Sequence, residues 1–175
     1  VGQLNDTLND LIEIVAKKQE LSQPKEKISF QVMLNKVKKD LEKEIHESSA
    51  TIKADFTGAP EIIYIRSFLQ SIIQNLISNA IKYRSAERPL EVKLNTRIQD
   101  GYILLTVSDN GQGIDLEKHG KHMFDLYKQF HKTGTGKGMG LYLVKSQVDS
   151  LGGTIDVASE PGAGTTFYLY LRDFQ

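Results

Sequence analysis

Apolar residues between positions 65 and 84 recur with the spacing of an amphipathic helix. One buried stripe is predicted at positions i, i+3, i+4 and i+7, namely Leu69, Ile72, Ile73, Leu76, Ile77 and Ala80. The helix begins at residue 61 or 65 and ends near Arg84. Asn75, Asn79 and Lys82 share the opposite face, because successive helical residues turn by about 100°. Such a face is also typical of a helix that is simply solvated, so its meaning depends on the rest of the chain.

Two helical patterns precede this segment. Val1–Leu21 carries a heptad-like apolar seam that stops at the Ser22-Gln23-Pro24 break. A helix with such a seam needs a partner, which is either the domain that follows or the other half of a dimerising helical hairpin. We favour the hairpin, because a proline break is typical of a linker. The second helix is predicted on an apolar series formed by Val32, Leu34, Val37, Leu41 and Ile45.

Alternating apolar and polar residues predict six strands, at Ile28–Phe30, Thr51–Phe56, Leu90–Ile98, Tyr102–Ser108, Thr154–Ala158 and Thr165–Leu171. Tyr102–Ser108 is apolar on nearly both faces, which predicts a central place in its sheet. Met139–Leu151 is a further helix, and the stretch from Ile114 to Lys137 lacks both patterns, as is typical of a functional lid. Helices followed by mostly antiparallel strands predict an α+β fold in which helices cover one face of a mixed sheet.

The composition limits the classes of function. The 175 residues are 39% hydrophobic, which is enough to bury a core, and Lys plus Arg equal Asp plus Glu at 22 each. The resulting net charge of zero gives no general attraction to nucleic acid or to an acidic membrane surface. The chain has no cysteine, no apolar run of membrane-spanning length and no signal-peptide pattern at its start. We expect a soluble, cytoplasmic domain that contacts neither nucleic acid nor membrane.

A carboxylate stands at the end of the predicted central strand. Asp109 is followed by glycines at positions 111 and 113, which leave the backbone bare beside the carboxylate. A carboxylate accepts a hydrogen bond from the exocyclic amine of adenine, whereas the carbonyl of guanine at that position would be repelled. The alternative interpretation is an ordinary Asp-Asn-Gly turn, which is common in proteins.

Glycines alternate before the last helix, at Gly134, Gly136, Gly138 and Gly140. Free backbone N–H groups and the positive end of that helix can bind phosphates there. Two better-known phosphate motifs are excluded, since no glycine triplet has the G-x-G-x-x-G spacing after a strand and Lys137 is followed by glycine rather than Ser or Thr. The glycine run becomes informative only together with the amide-bearing helix and Asp109.

Five segments, in order, resemble the sequence boxes of the ATP-binding domain of sensor histidine kinases, the GHKL or Bergerat-fold group. NLISNAIKY resembles the N box, DNGQGI the first glycine box, MFDLYKQFH the F box, GKGMGLYLVK the second glycine box and GAGTTF the closing strand. The resemblance covers residues 74–171. It implies a two-layer sandwich of a mixed, mostly antiparallel sheet with three helices on one face, preceded here by the N-terminal helix, with ATP between helix and lid.

The resemblance also implies roles for individual residues. Asn79 matches the amide that holds a Mg²⁺ ion bridging the phosphates, with Asn75 beside it, and Lys82 and Tyr83 match phosphate and nucleotide contacts. Asp109 matches the acid that recognises adenine. The other implied contacts form the pocket, the hinge of the lid and a position near the adenine, and they are Gly111, Gly113, Ile114, Gly136, Gly138, Met139, Gly140, Leu141 and Thr166.

Residues 1–23 resemble part of the second helix of the dimerisation and phosphotransfer hairpin, which leaves residues 24–175 as the catalytic domain. The phosphoacceptor box is absent, because His46-Glu47 ends an amphipathic helix outside any hairpin. We therefore expect a fragment that binds Mg-ATP without phosphorylating itself. The implied partners are its own missing hairpin, a response-regulator receiver domain and, through the N-terminal helix, a second copy of the full-length protein.

Gln129 departs from the family pattern. Many members carry an arginine at this F-box position that reaches the terminal phosphate, and an amide has no charge to neutralise the transferring group. Either Lys128, His131 or Lys132 substitutes for it, or transfer is slow.

Asn75 matches the position where ATPases of the same fold use a glutamate to activate water. An amide cannot take a proton at neutral pH, so slow hydrolysis is expected and delivery of the phosphoryl group to a histidine is favoured, with Asn75, Lys82 and Gln129 as catalytic residues. Two other functions stay open: a docking module that binds nucleotide weakly or not at all, and a kinase of the same fold that phosphorylates serine. The heptad helix favours the histidine kinase, because the serine-phosphorylating kinases of this fold need no hairpin directly before the domain.

Overall fold

The computed structural model describes residues 21–125 and 139–175, which form a helix layer packed on one face of a five-stranded sheet. The strands are β1 (Lys25–Ser29), β2 (Thr51–Gly58), β3 (Glu61–Ile65), β4 (Glu91–Gln99), β5 (Tyr102–Asp109), β6 (Thr154–Glu160) and β7 (Gly164–Leu171). The helices are α1 (Phe30–Asp40), α2 (Glu42–Ser48), α3 (Arg66–Lys82), α4 (Leu116–His119) and α5 (Gly140–Ser150), and a 3₁₀ turn spans Gly120–His122.

The main sheet has the strand order β2-β4-β5-β7-β6. The β2 and β4 strands are parallel, and the other neighbouring pairs are antiparallel. The β5 strand is central, as its nearly continuous apolar sequence predicts: Ile103, Leu105 and Val107 are buried on one face and Leu104 on the other. The prediction of a mixed, mostly antiparallel α+β sandwich is therefore confirmed.

The core lies between this sheet and the helices. Ile103, Leu105 and Val107 face it from β5, and Phe167 and Leu169 face it from the neighbouring β7 strand. The stripe predicted for α3 is buried as expected, and α3 packs between α1 and α5. This arrangement places the polar face of α3 and the last residue of β5 at the same end of the helix layer.

The first described helix differs from its prediction in phase and length. Val32 was placed on the buried stripe, but 61% of its surface is exposed. The hydroxyl oxygen of Ser29 accepts a hydrogen bond from the Val32 backbone N–H, and this cap starts the helix at Phe30. The buried stripe is consequently Phe30, Met33, Leu34 and Val37. The single helix expected as far as Ile45 is two helices, divided at Leu41.

A second, two-stranded sheet was not predicted. The β3 strand pairs antiparallel with β1, and the start of α3 is thereby fixed at Arg66 rather than at residue 61. The C-terminal residues also bind β3: Phe174 donates its backbone N–H to the Ile63 carbonyl, and the Asp173 carboxylate accepts from the Ile63 N–H. The five residues of β3 are rich in apolar side chains and fit a strand or the start of a helix equally well. Contacts with distant residues decide that they form a strand.

Nearly all of the predicted N-terminal helix, Val1–Leu21, lies outside the described residues. None of the helices within 21–125 and 139–175 combines the length and apolar character required to cross a bilayer.

Candidate nucleotide site

Asp109 ends the central strand with its side chain on the helix-facing side of the sheet. The strand register places it opposite Val92 and Thr165 on the two neighbouring strands. Its Oδ1 atom accepts a hydrogen bond of 2.8 Å from the Gly111 backbone N–H, and its carboxylate also accepts from the Thr165 N–H. Burial raises the pKa of the Asp109 carboxyl, and the two backbone N–H groups oppose that shift by stabilising the ionised form. A fixed and largely dry acceptor thus faces the helix layer.

The loop after Asp109 is held against the C-terminal end of α3. The Gln112 N–H donates to the Tyr83 carbonyl at 2.9 Å. A Cβ atom on Gly111 would lie 2.7 Å from that same carbonyl oxygen and 2.8 Å from Asp109 Oδ1, so only glycine fits there. Gly113 has a φ of +72°, and a Cβ atom on it would lie 2.0 Å from the Glu160 carbonyl oxygen. The glycines of this segment therefore serve close backbone approach, as the sequence suggested.

The amide face of α3 meets the beginning of α5. The Asn75 Nδ2 atom donates to the Ser71 carbonyl at 2.8 Å and to Ser71 Oγ at 3.2 Å, which leaves the amide oxygen pointing away from these contacts. A Cβ atom on Gly140 would lie 2.9 Å from Asn75 Oδ1 and 3.7 Å from Asn79 Oδ1. Met139 at the N-cap position makes no side-chain capping bond, and the first residue of α5, Gly140, lies next to the two amides.

Lys82 and Tyr83 are adjacent at the end of α3. The Lys82 ammonium lies 5.0 Å from the centre of the Tyr83 ring, a cation–π distance, and both side chains are half-buried. The Tyr83 N–H continues the helix by donating to the Asn79 carbonyl at 3.0 Å. These contacts connect the amide face with the loop that carries Asp109 through a single residue, Tyr83.

The closing strand places Thr165, rather than Thr166, beside Asp109. Thr166 pairs with Ser108, and alternation along β5 and β7 turns both side chains to the other face of the sheet. Sequence reasoning placed the nearby threonine one position too far along the chain. The direction of each side chain depends on the strand register, which the repeated Thr-Thr pair alone does not reveal.

Ser159 is a site residue that sequence reasoning missed. Its hydroxyl oxygen accepts from the Ile114 N–H at 2.8 Å and donates to the Gly164 carbonyl at 2.9 Å. Thr165 Oγ1 lies 2.8 Å from the same oxygen. One hydroxyl thereby joins the start of the predicted lid to the strand beside Asp109. A serine near the end of β6 gives no signal of this role in the sequence, because its partner at the start of the lid, Ile114, is 45 residues away.

Several predicted site residues cannot be located in this framework. Gln129, Gly136 and Gly138 lie outside the described residues, together with the second half of the predicted lid. Met139 is the residue before α5 and Leu141 lies in its first turn, and both are half-buried.

The site offers oxygen ligands of the kind that Mg²⁺ prefers. Within residues 21–125 and 139–175, no three His, Cys, Asp or Glu side chains are close enough together to hold a metal ion. Mg²⁺ is commonly bound by one or two protein oxygens together with phosphate and water oxygens. The amide oxygen of Asn79, next to a helix N-terminus of the kind that suits phosphates, fits that mode of binding.

Comparison with known proteins identifies similar sequences. A family model described as "Histidine kinase-, DNA gyrase B-, and HSP90-like ATPase" matches residues 65–175. The alginate biosynthesis sensor protein KinB of Pseudomonas aeruginosa is 37% identical over 81 residues, which cover 46% of this chain and 13% of that protein. The sensor histidine kinase DcuS of Escherichia coli K12 is 40% identical over 81 residues, covering 46% of this chain and 14% of DcuS. The chain thus spans about one seventh of the length of these curated relatives.

The fold is also found among solved structures. The histidine kinase AdeS of Acinetobacter baumannii matches with a TM-score of 0.71 and 22% sequence identity, over 99% of this chain and 83% of AdeS. At that level of identity the similarity establishes a common fold.

Proposed function

The chain belongs to the family of histidine kinase-, DNA gyrase B- and HSP90-like ATPases, and we propose that it is the catalytic domain of a sensor histidine kinase that binds Mg-ATP and transfers its γ-phosphoryl group to a histidine. Adenosine triphosphate is the nucleotide expected of this family. The identity of the acceptor, the need for Mg²⁺ and the partners of the whole protein are parts of the proposal.

One observation carries the proposal: an ionisable acceptor, two amides and the N-terminus of α5 converge on the same end of the helix layer. The loop after Asp109 meets the Tyr83 carbonyl through Gly111 and the Gln112 N–H, and Asn79, one helical turn before Tyr83 on α3, lies close to Gly140 at the start of α5. An adenine needs an acceptor for its amino group, and phosphates need positive dipoles and cations. The two requirements are met at neighbouring positions, in the order in which they occur along ATP.

The site residues contribute to the reaction by aligning the reactants and neutralising charge, and they form no covalent bond themselves. A histidine nitrogen forms a bond to the γ-phosphorus while the bond from that phosphorus to the ADP oxygen breaks, and the main requirement is alignment with charge neutralisation. Asn79 would hold Mg²⁺, which when bound neutralises phosphate charge. Lys82 and the N-terminus of α5 add positive potential at the phosphates. Asp109 holds the adenine and takes no part in bond making.

Asn75 argues against rapid hydrolysis. Its amide donates to Ser71 and has no basic atom to remove a proton from water at neutral pH. A domain without a general base at this place keeps ATP intact until an acceptor side chain arrives. This property suits a kinase that delivers the phosphoryl group to another segment better than an ATPase that uses hydrolysis as a conformational switch.

For the whole protein we propose a cytoplasmic catalytic domain next to a dimerisation hairpin that supplies the acceptor histidine, with a response-regulator receiver domain as the subsequent acceptor. This arrangement is compatible with a membrane-bound parent protein. His46 is not proposed as the acceptor, although it is exposed on α2, because the segment lacks the flanking pattern of a phosphoacceptor box.

The test is phosphotransfer to the hairpin of the parent protein, using ATP radiolabelled on its γ-phosphate. Acid-labile, base-stable label on the hairpin is expected, and Asp109→Asn in the same chain should reduce it. Acid-stable label would contradict the histidine kinase and indicate phosphorylation of serine. Absence of any label, while the same preparation binds ATP, would contradict kinase activity and indicate a docking module.

A further inference from the structure

Arg88 joins two backbone segments that border the site. Its Nε atom donates to the Asn110 carbonyl at 2.6 Å. Its Nη2 atom donates to the Gly111 carbonyl at 2.8 Å and to the Gly162 carbonyl at 2.6 Å. The residue lies between α3 and β4, outside every motif that predicted the nucleotide site. One side chain therefore grips the loop that follows Asp109 and the turn that joins β6 to β7.

The chemistry of arginine suits this contact. The guanidinium is planar, always charged and carries five N–H donors in a fixed fork, so one group can serve several carbonyl oxygens at once. Bonds from a charged donor are about twice as strong as neutral ones. Lysine has a single nitrogen at the end of a flexible chain and cannot reproduce the fork. The half-buried Arg88 is thus a specific clamp rather than a solvated surface cation.

A second set of bonds secures the same loop from the same side. The Asn110 Oδ1 atom accepts from the Glu91 N–H at 2.9 Å, and Asn110 Nδ2 donates to the Pro89 carbonyl at 3.0 Å. The Asn110 N–H donates to the Glu91 carbonyl at 3.3 Å. Residues 88–91 therefore hold residue 110 through both its backbone and its side chain. Asp109, the preceding residue, is fixed at the end of this clamp.

The contact with Gly162 extends the clamp to the other side of the site. The Gly162 N–H donates to the Gln112 carbonyl at 2.7 Å, and this turn leads directly into β7 and Thr165. Thr165 donates its N–H to the Asp109 carboxylate. Arg88 consequently stabilises both backbone N–H donors that orient the carboxylate, Gly111 through its own carbonyl and Thr165 through the preceding turn.

We propose that Arg88 is a positioning residue for base recognition: it fixes the backbone that aims the Asp109 carboxylate at the amino group of adenine. The inference rests on the proposed function, since it assigns Arg88 to the same nucleotide site. Arg88 does not touch the base. Without it, the loop and the turn are held together less tightly, Asp109 gains freedom, and the discrimination between adenine and guanine falls.

The experiment measures ATP and GTP affinity by calorimetry for the intact chain, Arg88→Ala, Arg88→Lys and Asp109→Asn, and for the double variant Arg88→Ala/Asp109→Asn. Arg97→Ala is the matched control, because Arg97 is exposed and its guanidinium donates to Gln99 on the same strand. Thermal melting of each variant reports folding. Arg88→Lys keeps the charge and provides a milder change in case the alanine variant does not fold.

We expect Arg88→Ala to weaken ATP binding by about tenfold and to lower the ATP-to-GTP affinity ratio by a similar factor, the size of one lost charge-assisted hydrogen bond to the base. Arg88→Lys should give values between those of the intact chain and Arg88→Ala. Arg97→Ala should change neither the ATP affinity nor the ATP-to-GTP affinity ratio. In the Asp109→Asn background, Arg88→Ala should produce no further loss of selectivity, because the group it orients is already changed.

Two results would overturn the positioning role alone. One is equal weakening of ATP and GTP with an unchanged ratio, which would indicate a purely structural residue. The other is a full additional loss of selectivity in the Asp109→Asn background. An intact chain that binds no ATP would instead refute the proposed function, and the role of Arg88 with it.

Discussion

Asp109 and Gly111 form a closed unit in which the carboxylate of the first accepts the N–H of the second at 2.8 Å, two residues along the chain. The bond orients the carboxylate, and the Thr165 backbone N–H donates a second hydrogen bond to the same group. The first bond also draws Gly111 into contact with the Tyr83 carbonyl, so that the acid, the loop and the end of α3 share one geometry. The absence of a side chain at Gly111 is a condition for the orientation of Asp109.

Gly111→Ala should therefore weaken nucleotide binding and destabilise the fold together. The added methyl group would lie under 3 Å from both the Tyr83 carbonyl and Asp109 Oδ1, and the backbone must move to accommodate it. We expect a loss of about 1–3 kcal/mol in the free energy of unfolding, as for other overpacked sites. Urea denaturation and ATP titration measure the two effects. Gly120→Ala is the control, since its methyl group would come no closer than 3.7 Å to its nearest neighbour. Equal behaviour of the two variants would contradict the steric argument.

The ionised Asp109 should lower the stability of the nucleotide-free domain at neutral pH. Burial raises the pKa of this carboxyl, so the folded state binds a proton more tightly than the unfolded state does. The resulting stabilisation is complete below the ordinary pKa of aspartate and is lost as pH rises through the raised value. Asp109→Asn should accordingly melt at a higher temperature than the unmodified chain at pH 7 and show a flatter dependence on pH.

Asp100→Asn provides the comparison for that measurement. Asp100 is exposed in the β4–β5 hairpin turn with a φ of +52°, which asparagine also tolerates. Melting curves between pH 4 and pH 8 should therefore separate only the Asp109 variant from the unmodified chain. A lower melting temperature for Asp109→Asn at pH 7 would show that the carboxylate stabilises the empty site instead.

Removal of the Asn79 amide should abolish the effect of Mg²⁺ on ATP affinity. The amide oxygen lies beside the N-terminus of α5 and is the proposed metal ligand. In the unmodified chain we expect Mg²⁺ to tighten ATP binding by about tenfold, and in Asn79→Ala we expect affinity to be the same with Mg²⁺ or with EDTA. Ser78→Ala, an exposed change on the same helix, should retain the difference. A persistent Mg²⁺ effect in Asn79→Ala would show that groups other than Asn79 bind the metal.

Tyr64→Phe should stabilise the domain without affecting nucleotide binding. The Tyr64 ring is fully buried on β3, and its hydroxyl has no hydrogen-bond partner within the described part of the chain. An unpaired buried hydroxyl costs about 1 kcal/mol or more, and phenylalanine fills the same space without it. Chemical denaturation should show a gain of about 1 kcal/mol. The half-buried Tyr102 is the control, and Tyr102→Phe should change stability little. A loss of stability in Tyr64→Phe would reveal a partner for the hydroxyl.

Periodicity predicted those parts of the fold whose own side chains determine their burial. The stripe of α3 and the two apolar faces of β5 are properties of single segments, and both were found where the pattern placed them. The position of Val32 and the β3 strand were missed for a different reason. The first depends on a capping hydrogen bond that the Val32 N–H donates to the Ser29 hydroxyl, and the second on pairing with β1.

The candidate site divides in the same way. Asn75, Asn79 and Asp109 belong to recognisable motifs, so their residue types and spacing identified them. Arg88 and Ser159 act on backbone carbonyl and N–H groups that the fold brings together from positions up to 74 residues away. A side chain that binds backbone atoms leaves no pattern in the neighbouring sequence, and only the strand register and the turns reveal it.

The most direct test of the account is a calorimetric titration of the chain with ATP and with GTP, repeated for Asp109→Asn. The account predicts saturable binding of ATP that is about tenfold or more tighter than binding of GTP, and a loss of that preference in the variant, because the carboxylate is the group that distinguishes the two bases. Failure to bind ATP, or an ATP preference that survives unchanged in Asp109→Asn, would contradict it.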